Sequence, residues 1–180
     1  MDDNYYIERV LKGDLNAYTP LVEKYRQYVF VLVKRTCPHP AEAEELAQDV
    51  FVKAYEHLSS YKGKAAFSTW LYRIAYNTAV SHTRRKRRWG VSINEIDSET
   101  FAVSDYGQAG EEKQQDREET YLALERILTA LPAEEQMLIA LFYKEGLKME
   151  EVAYICGLSL SNAKVKIHRI RNKIKDLMLA

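Results

Sequence analysis

Residues 151–159 read Glu-Val-Ala-Tyr-Ile-Cys-Gly-Leu-Ser, and a basic segment over residues 160–177 follows them directly. This order of residues is typical of a helix-turn-helix. Ala153 is small where the two helices would cross, Gly157 can supply the turn, and Ser159 can cap the second helix. The stretch therefore predicts two short helices that meet at a tight turn.

The second of these helices is predicted over about Leu160–Leu177 and has two different faces. Its apolar stripe, expected to be buried, consists of Ala163, Ile167, Ile170, Ile174 and Leu177. A recognition helix contacts base edges with its N-terminal residues and phosphates with Arg and Lys. We predict base contacts from Ser161, Asn162, Lys164, Val165 and His168, and mainly phosphate contacts from Lys166, Arg169, Arg171 and Lys173. A basic amphipathic helix can also be a solvated surface, but the turn before it favours DNA binding.

A second segment that suggests nucleic acid is residues 67–88, FSTWLYRIAYNTAVSHTRRKRR. It predicts a helix over Phe67 to about Lys86, capped by Ser68 or Thr69. Aromatic and amide groups beside a basic tail suit single-stranded or melted DNA, where unstacked bases lie on rings and pair with amides. The candidate contacts are Phe67, Ser68, Trp70, Asn77, Arg84, Arg85, Arg87 and Arg88. The alternative is that Phe67 and Trp70 belong to the core, which is the commoner role of aromatics at helical spacing.

The charge distribution divides the chain into three parts, although the net charge is zero. Residues 1–90 carry 15 basic against 10 acidic side chains, residues 91–120 carry 2 against 9, and residues 121–180 carry 9 against 7. Apolar periodicity is lost over residues 91–118, which predicts an acidic linker. Few glycines and prolines and no β-type alternation predict an all-α protein with two small helical domains, 1–90 and 119–180.

Several classes of protein are disfavoured by what the sequence lacks. The two cysteines, Cys37 and Cys156, fit neither a disulfide framework nor a zinc spacing, which favours a reducing cytoplasm. No apolar run is long enough for a membrane span, and the N-terminus is acidic rather than signal-like. With no paired carboxylates at metal-ligand spacing and no Gly-rich phosphate loop, we expect no enzyme, no cofactor, no metal and no small-molecule substrate.

Four segments, in this order and spacing, resemble the extracytoplasmic-function class of bacterial sigma factors. They are GDLNAYTPLVEKYRQYV, AEAEELAQDVFVKAYEHLSSY, FSTWLYRIAYNTAVSHTRRKRR and LPAEEQMLIALFYKEGLKMEEVAYICGLS. The resemblance covers nearly the whole chain except the linker. The two middle segments are its specific part, because a helix-turn-helix alone is shared by many DNA-binding proteins.

The resemblance implies a division of labour between the two domains. The first domain would bind the clamp helices of the polymerase β′ subunit through Glu44, Glu45, Gln48 and Asp49 and would melt the promoter −10 element. The second would dock on the flap of the β subunit and recognise the −35 element. The resemblance also implies a membrane-tethered anti-sigma partner. It further implies that the chain itself is cytoplasmic and associates with the nucleoid when active.

Two departures from the family pattern affect these expectations. Lys148 stands where the family usually has a Ser or Thr cap before the helix-turn-helix, and Ser161-Asn162-Ala163 stand where Gly-Thr-Val is common. The fold should tolerate both changes, whereas the −35 sequence depends on the second. Another type of two-domain transcriptional regulator, or a DNA enzyme such as a recombinase, would explain the helix-turn-helix but not the segment at 67–88.

Overall fold

The computed structural model describes residues 2–37, 39–89 and 111–179, and within 111–118 it describes the backbone alone. All regular structure in these residues is helical, which confirms the all-α prediction. The helices are α1 (Asp3–Leu11), α2 (Thr19–Lys34), α3 (Pro40–Glu56), α4 (Phe67–Arg88), α5 (Glu111–Ala130), α6 (Ala133–Ile139), α7 (Met149–Cys156) and α8 (Leu160–Met178). Among these helices, none combines the length and apolar character that a membrane span requires.

The N-terminal unit is built around α2, α3 and α4, which pack against one another. Each helix buries an apolar stripe at the spacing of helical turns, as the periodicity predicts. Val29, Val50 and Leu71, one from each helix, are fully buried at the centre. This three-helix core fixes the outward faces of α3 and α4, which carry the candidate contacts.

The first turn of α4 differs from the sequence-based prediction. Helix α2, by comparison, begins at Thr19 because a 3-10 turn over Leu15–Tyr18 runs directly into it. Ser68 and Thr69 were expected to cap α4, but the cap position is Ala66. The Thr69 hydroxyl instead donates to a carboxylate in the C-terminal unit.

The C-terminal unit contains the predicted helix-turn-helix, α7 and α8. Gly157 ends α7 in the left-handed conformation, with φ of 65°, where a residue with a Cβ would be strained. Ser159 caps α8, since its hydroxyl accepts a hydrogen bond of 3.2 Å from the backbone N–H of Asn162. Helix α6 continues into a π-helical turn over Ala140–Lys144, and Gly146, also at positive φ, ends it.

Helix α5 begins inside the range that was expected to be linker. The loss of apolar periodicity suggested a linker up to residue 118, whereas the helical backbone starts at Glu111. Residues 111–119 consist of Glu, Lys, Gln, Asp and Arg without Gly or Pro. These residues mostly have good helix propensity, and acidic ones favour a helix N-terminus, so a helix can form there without an apolar face.

The two units contact each other along one face of α4, which packs against α6 and α7. The Thr69 hydroxyl donates to Glu151 Oε1 at 3.1 Å, and the Arg73 guanidinium lies 4.7 Å from the centre of the Tyr154 ring. Near the other end of α4, Arg84 binds Glu134 Oε1 through Nε at 3.0 Å and Nη2 at 2.6 Å. These contacts follow α4 at positions 69, 73 and 84, which lie on one side of the helix.

Candidate nucleic-acid interface

Helix α8 separates a buried stripe from an exposed basic face. Ala163, Ile167 and Ile170 are at most 5% exposed, and Ile174 is half-buried. Leu177, predicted to complete the stripe, is 49% exposed, because it lies in the last turn of the helix. The helix is therefore held to its unit by its first three turns, and these are the turns that carry the candidate base contacts.

All predicted −35 contacts on α8 are exposed to solvent: Ser161, Asn162, Lys164, Val165, Lys166, His168, Arg169 and Arg171. Within the described residues, the four cations in this set make no ion pair. Lys173, by contrast, lies 3.3 Å from Glu135 Oε2 in α6. His168 Nε2 is 3.2 Å from Asn172 Nδ2, one helical turn away. The basic face thus offers unpaired cations and polar groups to a polyanion.

The start of α7 shows how Lys148 replaces the usual Ser or Thr cap. The Glu151 carboxylate reaches back and accepts the Lys148 backbone N–H through Oε2 at 3.1 Å, as in one half of a capping box. Its other oxygen, Oε1, accepts the Thr69 hydroxyl. Glu151 therefore caps α7 and contacts α4 at the same time, a double role that sequence reasoning missed because Thr69 is 82 positions away.

Asn77 is the one predicted −10 residue in the first three turns of α4 that is exposed to solvent. It is exposed and lines a cleft of about 300 Å³ together with Trp70, Arg73 and Tyr154. Ser68, at the start of the same helix, is half-buried. The cleft combines an amide, a guanidinium and ring edges, which is the kind of surface that binds an unstacked base.

Phe67 and Trp70 are buried, with 3% and 9% exposure. Both belong to an aromatic cluster with Tyr25 and Tyr61, in which ring centres lie 5.5–5.7 Å apart. Such edge and tilted contacts stabilise a core. The structure thus favours the alternative in which these two rings are core, because neither presents a free face for stacking on a base.

One of the predicted DNA-binding arginines at the basic end of α4 is engaged in an ion pair. Arg85, Arg87 and Arg88 are exposed, whereas Arg84 is held in its ion pair with Glu134. That pair joins the two units across a surface that was predicted to bind DNA. Contact between Arg84 and a phosphate would therefore require the ion pair to break.

The predicted polymerase contacts share one face of α3. Glu44, Glu45, Gln48 and Asp49 are all exposed, while Ala43, Leu46, Ala47 and Val50 face the core. The alternation has the spacing of an amphipathic helix. It leaves an acidic surface that suits a basic partner.

Each of the two helical units matches a family of known proteins. The family model for sigma-70 region 2 matches residues 21–89, and that for sigma-70 region 4 matches residues 121–174. The RNA polymerase sigma-H factor of Pseudomonas aeruginosa is 33% identical over 178 residues, covering 96% of this chain and 91% of that protein. The ECF RNA polymerase sigma-E factor of Escherichia coli K12 is 33% identical over 188 residues, covering 99% and 97%.

Solved structures share the fold over nearly the whole length. CnrH, in complex with the cytosolic domain of CnrY, has a TM-score of 0.67 at 19% identity and covers 98% of this chain and 96% of its own. The sigma factor RpoE in complex with the anti-sigma factor NepR from Bartonella quintana has a TM-score of 0.65 at 20% identity, with 92% and 99% covered. At 19% and 20% identity, these two structures show that the fold is shared and carry no conclusion about function.

The matched regions and the full-length relatives give one consistent answer. The chain belongs to the sigma-70 family as an extracytoplasmic-function sigma factor, a subunit with which RNA polymerase recognises promoters and initiates transcription.

Proposed function

We propose that the N-terminal unit recognises and melts the promoter −10 element while the C-terminal unit recognises the −35 element. The proposed domains are 1–90 and 119–180, joined by a connector over 91–118 whose last residues form the start of α5. The observation that carries this division is the exposed basic face of α8, whose cations Lys164, Lys166, Arg169 and Arg171 have no ion-pair partner among the described residues. A capped turn at Gly157 and Ser159 holds this helix in place. A helix presented in this way fits the major groove.

On the −35 side, the first turns of α8 supply the groups that discriminate between bases. Ser161, Asn162 and Val165 offer a hydroxyl, an amide and an apolar surface, which suit base edges and the thymine methyl group. Lys166, Arg169 and Arg171 are placed to neutralise phosphates, with Lys164 and His168 between the two groups. Phosphate contacts dominate affinity, and the short polar side chains set sequence preference.

On the −10 side, Asn77 is the proposed reader of an unstacked base, with Ser68 close to the start of the same helix. Phe67 and Trp70 support the α4 surface from the core side and do not themselves stack on bases. Arg85, Arg87 and Arg88 would contact the backbone, and Arg84 would join them once Glu134 releases it. Strand opening thus depends on an amide and a basic helix end rather than on free aromatic faces.

The proposed partners follow from the same surfaces. The acidic face of α3, with Glu44, Glu45, Gln48 and Asp49, would bind the β′ clamp helices of core polymerase, and the C-terminal unit would bind the β flap. CnrH was solved with the cytosolic domain of CnrY, and RpoE with the anti-sigma factor NepR. We propose an anti-sigma partner for this chain as well, one that is tethered to a membrane. Since its work is on the chromosome, we place the protein in the cytoplasm, at the nucleoid when active.

Members of this family act as non-enzymatic initiation factors. We propose that this chain likewise has no active site and takes its chemistry entirely from the polymerase. It would need no cofactor for promoter recognition.

The test of the −10 assignment is reconstitution with core polymerase on promoter DNA that carries a fluorescent base at the melted position. Asn77→Ala should bind core polymerase normally but give fewer open complexes. Asn16→Ala, an exposed asparagine of the same unit, is the matched control and should behave as wild type. Equal melting by the two variants would remove Asn77 from the site.

The test of the polymerase surface uses charge reversal. Asp49→Lys on α3 should weaken binding to core polymerase, whereas Glu23→Lys, an equally exposed acid on α2, should not. Binding is measured by competition against a labelled wild-type chain. If both reversals weaken binding equally, the attraction is general and α3 has no special role.

A further inference from the structure

Three potential metal ligands from separate parts of the chain meet beside the acidic face of α3. The Cys37 thiol follows α2, the Glu42 carboxylate lies in the first turn of α3, and the His82 imidazole lies on α4. One sulfur, oxygen or nitrogen atom from each lies within 4.8 Å of the other two, and His82 Nε2 is 3.2 Å from Glu42 Oε1. The promoter-binding and polymerase-binding roles proposed above use none of these three side chains.

The spacing is close to that of a tetrahedral zinc site. With Zn–S near 2.3 Å and Zn–N and Zn–O near 2.0–2.2 Å, ligand atoms lie roughly 3.3–3.6 Å apart. Since the ligand atoms lie within 4.8 Å of one another, the cluster would have to contract by at most about 1.5 Å to reach this geometry. Rotation of the Glu42 and His82 side chains, which are 23% and 19% exposed, can supply that movement.

Within the described residues, only the Cys37 thiol lies near the second oxygen of Glu42, and it does not meet that oxygen with hydrogen-bond geometry. Oε1 is engaged by Lys86 and lies next to His82, whereas Oε2 is buried and no donor in the described residues meets it with hydrogen-bond geometry. The Cys37 thiol is nevertheless close enough to lower the pKa of this carboxyl. A buried acceptor without a well-aligned donor is poorly compensated for its desolvation, and a cation bound here would compensate it.

The electrostatic surroundings shift the pKa values of the three groups in different directions. Burial is the largest cause that lowers the pKa of His82; the Glu42 carboxylate opposes it, while Lys86 and Arg85 lower the pKa further. Burial raises the pKa of Glu42, but Lys86 and the Cys37 thiol outweigh it, so that the pKa of this carboxyl is lowered. Burial raises the pKa of Cys37 to about 12, so a metal would have to displace the thiol proton.

A metal ion can reach Glu42 and His82 from solvent through a cleft. Glu42 and His82 line a cleft of about 480 Å³ between α3 and the end of α4, which Glu45, Asp49 and Lys86 also line. Arg85 also lines the cleft, so its three carboxylates outnumber its two fixed cations by one, which leaves a modest attraction for a metal ion. The Lys86 ammonium competes for Glu42 and must move away when a metal binds, which its 30% exposure permits.

We propose that Cys37, Glu42 and His82 bind a divalent transition metal of the zinc class, with the fourth position open to the cleft. A thiolate, an imidazole and a carboxylate form a donor set that zinc accepts. Binding would connect the α2–α3 junction to α4 and would release Lys86 next to the polymerase-binding surface.

The experiment uses the full-length chain, freed of metal by chelation and titrated with Co²⁺, whose thiolate complexes have intense charge-transfer and visible absorption. We expect one equivalent to produce thiolate-to-cobalt bands that Zn²⁺ then removes. Cys37→Ser should abolish the charge-transfer band, and Glu42→Gln and His82→Asn should each weaken binding by more than about tenfold. Cys156→Ser is the control, because Cys156 is also a buried free thiol but lies in the other unit.

One further variant is expected to strengthen binding, an effect that a loss of folding cannot produce. Lys86→Met removes the competing ammonium without changing a ligand or the core, and it should tighten Co²⁺ binding several-fold. Absence of a thiolate band in the wild-type chain, or a band that Cys37→Ser leaves intact, would overturn the proposal. So would weaker or unchanged binding in Lys86→Met.

Discussion

The contact between the two units predicts a measurable loss of stability when Thr69 is replaced by valine. Thr69 is 3% exposed, and valine keeps its methyl group and nearly its shape while removing the hydroxyl that donates to Glu151 Oε1. A hydrogen bond to a charged acceptor contributes about 1.5–3 kcal/mol, and a neutral one about 0.5–1.5 kcal/mol. Because Glu151 keeps the Lys148 N–H on its other oxygen, we expect Thr69→Val to cost about 1 kcal/mol.

A double-mutant cycle isolates this contact from other effects of the substitution. Thr69→Val, Glu151→Met and the double variant are compared by urea unfolding of the full-length chain, since methionine keeps the side-chain length but removes the acceptor. We expect a coupling energy of about 0.5–1.5 kcal/mol. Thr83→Val is the matched control, since Thr83 is also buried on α4 but its hydroxyl bonds to Ala79 O in the same helix. It should destabilise the chain without coupling to Glu151.

The result that refutes this reasoning is a coupling near zero between Thr69 and Glu151. The two units would then not hold this arrangement in solution. A coupling as large for Thr83 as for Thr69 would also refute it. The cycle would then report a general loss of α4 stability rather than a contact between the two units.

The remaining predictions concern the turn, the basic face of α8 and the ion pair between the units. Gly157→Ala should lower the free energy of unfolding by about 1–2 kcal/mol in thermal or urea unfolding, because alanine is strained at a φ of 65°. No steric clash adds to this cost, since no atom lies within 4 Å of the new Cβ. Arg169→Ala should weaken promoter binding and reduce the magnitude of the slope of log affinity against log salt by about one, because it removes a phosphate contact; an unchanged slope would place the DNA on another face. Glu134→Gln should free Arg84 and tighten binding of a single-stranded −10 oligonucleotide, whereas Glu135→Gln, which frees a lysine of α8 instead, should not.

The helix-turn-helix could be predicted almost completely from sequence because its determinants are local. Gly157 must adopt positive φ to end α7, and Ser159 must cap α8 three residues before the amide that it binds. Both requirements are visible within nine residues of sequence. The exposed faces of α3 and α8 were predictable for the same reason, since helical periodicity alone separates buried from exposed positions.

Features that depend on distant residues were not predictable in this way. Thr69 has the local character of a cap, but the fold brings it to Glu151, and the hydroxyl takes that partner instead. Phe67 and Trp70 could not be assigned to core or surface until Tyr25 and Tyr61 were placed around them. The same is true of the Cys37 cluster, in which no two ligands have a recognisable metal-binding spacing.

The placement of the two tryptophans has a practical consequence for following this protein at work. Trp70 is 9% exposed and lines the cleft shared by the two units, whereas Trp89, at the end of α4, is 81% exposed and lines the cleft beside Glu42. A collisional quencher such as iodide reaches the second indole and not the first, so the natural fluorescence separates into two signals. The shielded signal reports whether the units part, and the accessible one reports what arrives at the face of α3.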